Sequence, residues 1–111
     1  MEIVNSAVEG QVSEVFLQGM VNRMATSYYK YGHVKENFPE PMDAVAMIQD
    51  RLRMYLETGN TEWLMDVANY AMIEFMHPRS EGAYFKATSS DESPGRIMRS
   101  GRRTDVGMEA K

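Results

Sequence analysis

The chain contains no cysteine, which excludes a disulfide framework, a thiolate zinc site and a cysteine nucleophile. Histidine is almost as scarce: His33 and His77 are the only two, too few for a His-rich metal site. Any metal would then be a hard ion held by carboxylates and water, Mg²⁺ or Mn²⁺. No apolar run approaches the roughly 20 residues of a membrane span. The leading Met-Glu-Ile-Val-Asn has no basic stretch of the kind that opens a signal peptide, so a cytoplasmic setting without a membrane partner is expected. A glycine-rich phosphate loop, a Ser-His-Asp set and an internal repeat are also missing. Basic charge is short as well. Residues 1–95 carry 7 Lys and Arg against 14 Asp and Glu, while residues 96–111 carry 5 against 2. Specific double-stranded nucleic-acid binding needs several cations on one surface, and an acidic body with a short basic tail does not supply them.

What the chain does have is helical patterning. With 111 residues, 43% hydrophobic and 25% charged, it reads as one small globular unit. The clearest segment lies between Gly59 and Pro78. Gly59 ends a preceding helix, Asn60 or Thr61 caps the next, and Pro78 stops it, with His77 at its C-terminus. Inside it, Trp63, Leu64, Val67, Ala68, Ala71, Met72, Phe75 and Met76 recur at helical spacing. A second helix is expected over Met42–Glu57, with Pro41 in its first turn and Val45, Ile48, Leu52, Tyr55 and Leu56 as its apolar stripe. The three-residue turn Thr58-Gly-Asn makes these two helices antiparallel neighbours.

Upstream, Ser6 and Glu9 match a capping box, and a helical segment follows to about Tyr31; Gly10 and Gly19 weaken it, so the alternative is an N-terminal arm and a helix starting near Gln11 or Ser13. Gly32, Pro39 and Pro41 mark a loop between it and the second helix. Downstream, Ala83–Thr88 reads as a short strand or an extended strip carrying Tyr84 and Phe85, residues 89–95 as turns, and the remainder as a mobile basic tail. The expectation is therefore an all-α small bundle of about three helices, over residues 1–88, with a turn-rich extended C-terminal arm and basic tail over 89–111. So small a core buries little surface, and eleven methionines, several off the apolar stripes, point to a homo-oligomer, a homodimer being the simplest.

The candidate site residues follow from helix geometry. Glu62, Asp66 and Asn69 fall within about 60° of one another, opposite the apolar stripe. Two carboxylates and an amide can share a divalent ion with water and a phosphate; a solvated helix edge has the same composition. Glu74 lies about 120° from Glu62, on the apolar side. It must find a cation such as Arg23, Arg51 or Arg79, or accept a raised pKa, which suits an ion pair or an acid–base role. Asp43, Asp50 and Glu57 form a second acidic row, able to surround an ion if it faces Glu62 and Asp66. His33, beside Tyr28, Tyr29 and Tyr31, is placed to touch a ligand base or ribose, or simply to pack. Arg96, Arg99, Arg102 and Arg103 form a run able to meet phosphate.

Two strings carry a resemblance. Residues 55–78, containing Thr58-Gly-Asn-Thr-Glu-Trp-Leu-Met-Asp-Val-Ala-Asn-Tyr, and residues 87–96 resemble a group of small uncharacterised bacteriophage and prophage proteins. The helix beginning Thr61-Glu-Trp-Leu-Met-Asp66-Val-Ala-Asn69-Tyr70 is also similar to the D-x-A-N-Y helix of MazG-like all-α nucleotide pyrophosphohydrolases. That likeness implies a dimer holding Mg²⁺ against a nucleoside triphosphate, with Asp66 as metal ligand and Glu62 and Asn69 beside it. Departures accompany it: Met42–Glu57 has no Glu-x-x-Glu, and Glu62 and Asp66 are four apart where the family has three. Two functions are therefore expected. One is nucleotide binding, or Mg²⁺-dependent hydrolysis with Glu62, Asp66 and Glu74 as the working carboxylates and Asn69, His33 and Arg96 on the nucleotide. The other is a phage-type interaction protein that grips a host protein through its helix faces.

Overall fold

The structure, a computed structural model, describes residues 8–93, 95–99 and 102–105. Among them the chain forms α1 (Glu14–Tyr31), α2 (Val34–Asn37), α3 (Ala44–Thr58) and α4 (Glu62–Met76), followed by strands β1 (Arg96–Arg99) and β2 (Arg102–Asp105). The helical bundle with a C-terminal arm is therefore as the periodicity predicts. The Ser6 cap and the end of the tail lie outside the described residues.

Local chemistry sets each boundary. The Phe16 backbone N–H donates to Ser13 Oγ at 3.0 Å, satisfying one of the donors that a helix start leaves open. Asp43 does the same for Ala46 N–H at 3.1 Å, so α3 begins after the expected Pro41 position. Gly59 ends α3 at φ 75°, left-handed backbone that a side chain would disfavour, and its N–H closes on the Tyr55 carbonyl at 2.7 Å. Asn60 then accepts from Glu62 N–H at 3.0 Å, and α4 starts at once.

α3 and α4 form the tightly connected hairpin, and α1 lies across α4. Gly19 of α1 lies against the Met65 side chain of α4, where an added Cβ would fall 2.5 Å from Met65 Cε. α2 and the turn after it close one end of the bundle. There Phe38, Ala44 and Ile73 are buried, with Met24, Val34, Met42 and Tyr70 packed against them. That is a very small core. α1 has no buried residue at all.

Two elements differ from the sequence expectation. The loop after α1 contains α2, a single helical turn in which His33 N–H donates to Glu36 Oε1 at 3.3 Å. The segment read as a mobile tail holds an antiparallel hairpin, with Arg96 opposite Asp105 and Arg99 opposite Arg102.

Candidate functional site

The site grows from α4. Glu62, Asp66 and Asn69 share one face, as spacing requires; that face meets α1 at Asp66 and Asn69, while Glu62 at its start stays exposed. Met72, Phe75 and Met76, expected in the core stripe, are exposed instead. The inversion has a physical cause: α1 and α3 bring polar partners to the acidic face, so burying it leaves few bonds unmade.

Asp66 is at the centre, its side chain only 15% exposed. Arg23 of α1 donates from Nε to Asp66 Oδ1 at 2.7 Å, and its Nη1 lies 3.3 Å from Glu62 Oε2. Arg51 of α3 donates from Nε to Asp66 Oδ2 at 3.4 Å. The Arg51 guanidinium also sits 5.8 Å from the Trp63 ring centre and 5.6 Å from that of Tyr70, within cation–π range. The hydrogen bond to Asp66 raises the Arg23 pKa, outweighing the opposing effect of burial. Tyr70 is raised from its ordinary 10.0, first by burial, with Arg51 opposing; its phenol is neutral over the physiological range.

Two adjoining cavities flank this group. The outer one, about 300 Å³, is polar and has Arg23, Lys30, Arg51 and Asp66 on its walls with Tyr31 and Tyr70. The inner one, about 60 Å³, lies against Phe38, Ile73, Met24 and Met42 and is reached by Asn69. Arg23, Ser27, Tyr31, Asp66 and Tyr70 belong to both walls. Three cations against Asp66 on the wall and Glu62 on Arg23 leave the outer cavity with one positive charge in excess, although the body as a whole is acidic.

Asn69 is 5% exposed. Its Nδ2 donates to the Met20 carbonyl at 3.0 Å, and its Oδ1 has no partner.

The remaining expected residues are dispersed. Glu74 Oε2 accepts the Arg79 backbone N–H at 2.8 Å, at the far end of α4. Its partner is thus the Arg79 main chain, while the Arg79 guanidinium pairs with Asp43 at 3.0 Å. Asp50 pairs with Arg53 on its own helix. His33 caps α2 with its ring 4.9 Å from Tyr28, and it lines neither cavity. Arg96 opens β1.

Among the described residues no three His, Asp or Glu side chains gather to hold a metal. Glu62 and Asp66 turn their oxygens towards Arg23 and Arg51 and share no open point, so these residues as arranged do not fit an inner-shell Mg²⁺. Sequence reasoning named Arg23 and Arg51 only as cations to neutralise carboxylates, and gave Lys30 and Tyr70 no role. No local pattern could assemble them, because they come from three helices. Among the described residues no helix is long and apolar enough to cross a membrane. Comparison with family models, curated proteins and solved structures returned no match.

Proposed function

We propose that this chain binds a nucleotide, with the phosphates in the outer cavity. The observation that carries the reading is the charge balance there: Arg23, Lys30 and Arg51 share the wall with Asp66, and with Glu62 paired to Arg23 one positive charge is left in excess. Guanidinium groups match phosphate oxygens in forked pairs, and Lys30 adds a mobile point charge at the end of α1. Stacking on Trp63 and Tyr70 holds the Arg51 plane in place before a ligand arrives. The Tyr70 hydroxyl, neutral, can donate to a phosphate without repelling it.

The test is thermal unfolding with nucleoside triphosphates and with inorganic tripolyphosphate, each without and with Mg²⁺. A ligand at a hundred times its dissociation constant stabilises by about 2.7 kcal/mol, roughly ten degrees for a domain of this size. Arg51→Gln combined with Lys30→Gln removes the shift. A flat response to every phosphate compound refutes the proposal.

A second reading has its own observation. Val15 is 80% exposed, Leu56 79% and Phe75 70%, on three different helices. A lone chain with so small a core gains from covering such surfaces, by a second copy or by a host protein. Light scattering over a hundredfold range of concentration separates these: a rising mass identifies self-association, a constant monomer mass leaves the host partner.

A further inference from the structure

The nucleotide reading leaves Asn69 without a task, and its geometry gives it one. The side-chain amide is oriented without ambiguity. Nδ2 must face the Met20 carbonyl, since turning the group would set two oxygens against each other. Oδ1 is therefore the atom left over: an enclosed acceptor with no donor from the protein. Buried acceptors are ordinarily paired, and one left open beside a cavity marks a place for a donor from elsewhere.

We infer that Asn69 accepts a hydrogen bond from the amino group of a nucleobase whose edge enters the inner cavity. This rests on the nucleotide reading, because the phosphates on Arg23, Lys30 and Arg51 place the base. The two cavities share Tyr31 and Tyr70 on their walls, so a ligand anchored outside meets the inner one directly. The inner walls, from Phe38, Ile73, Met24 and Met42, suit a flat apolar ring bearing one donor better than a sugar bearing several hydroxyls. At about 60 Å³ the space takes a ring edge and not a whole nucleotide. Oδ1 is closed off in the unliganded chain, so the cavity widens as the base enters; the unbranched Met24 and Met42 side chains allow this.

An acceptor so placed discriminates. An amino-bearing base satisfies Oδ1, whereas its oxo counterpart brings a second oxygen to it. Sites built around a single buried hydrogen bond reject the analogue lacking it by large factors.

The experiment compares matched ligands on the unaltered chain by calorimetry: cytidine against uridine triphosphate, adenosine against inosine triphosphate, and inorganic tripolyphosphate as the phosphate-only probe. At least one amino-bearing nucleotide is expected to bind tenfold or more tightly than its oxo partner and than tripolyphosphate. Asn69→Leu is expected to erase the preference and retain tripolyphosphate binding. That variant also deletes the bond to Met20, so the matched pairs decide the matter even where it fails to fold. Equal affinity within both pairs, or an oxo preference, overturns the inference while leaving the phosphate site standing, with Oδ1 then served by water only. Nucleotides binding no better than tripolyphosphate overturn it too. No binding by any of the five removes the nucleotide reading and this inference together.

Discussion

Replacing Asp66 by asparagine keeps the shape of the side chain and removes the one negative charge on the outer cavity wall. Its effect on stability can be worked from the contacts. The Arg23 bond at 2.7 Å is charge-assisted, of a class that contributes about 1.5–3 kcal/mol. Arg23 is one-third exposed, which screens the pair and favours the lower half of that range. The Arg51 contact at 3.4 Å is longer and adds little. Asparagine still offers one oxygen to one guanidinium. The net loss is therefore about 2 kcal/mol, or roughly 8–15 °C in Tm for a domain of this size. Phosphate affinity moves the other way. With Asp66 neutral, Arg23 and Arg51 are freed and the cavity charge becomes more positive, so tripolyphosphate binds more tightly and with a steeper salt dependence. Differential scanning fluorimetry and calorimetry on the same preparation read both quantities. A metal ligand behaves oppositely: Asp66→Asn then abolishes a Mg²⁺-dependent shift and weakens nucleotide binding. An unchanged Tm, or a loss of tripolyphosphate affinity, refutes the argument that Asp66 serves as the clasp between two arginines.

Three further outcomes follow from other parts of the molecule. Phe38→Ala removes the only buried aromatic ring among the described residues, with a tilted Tyr70 ring 6.2 Å away, and is expected to cost about 3–5 kcal/mol by urea titration. Tyr70 has its pKa raised by burial, so the unfolded chain ionises first as pH climbs; stability is complete below about pH 10 and falls as pH passes the folded pKa, and Tyr70→Phe flattens that decline. Phe75→Glu changes an exposed ring and is expected to shift monomer stability by no more than about 0.5 kcal/mol, while lowering the mass measured by light scattering if that face joins two copies.

The reading of elements succeeded where the signals were local. Gly59 and Pro78 are boundary residues whose chemistry acts within four positions, and α3 and α4 start and stop within two residues of where the sequence puts them, although Asp43 and not Pro41 opens α3. Which face of α4 is buried was not legible. That helix is apolar over much of its circumference, so amphipathicity alone could not orient it. The orientation depends on Arg23, Arg51 and the Met20 carbonyl, residues 15 to 49 positions away that complete the hydrogen bonds of Asp66 and Asn69. α2 escaped notice because a single turn has no period to detect. The site was half legible for the same reason: Asp66 and Asn69 stood out on one helix, while the cations that define their chemistry are contributed by others.

The absence of any buried side chain on α1 has a consequence for how the molecule comes apart. Its attachments are the Arg23 ion pairs, an amide-to-carbonyl bond, the Met65 side chain against Gly19 and Met24 at the edge of the core. The ionic part of that set is weakened by added salt in a way that an apolar seam is not. With no buried side chain of its own, α1 is expected to open more easily than the α3–α4 hairpin. In hydrogen exchange its amides would trade with solvent first, and added salt would widen the gap between the two layers.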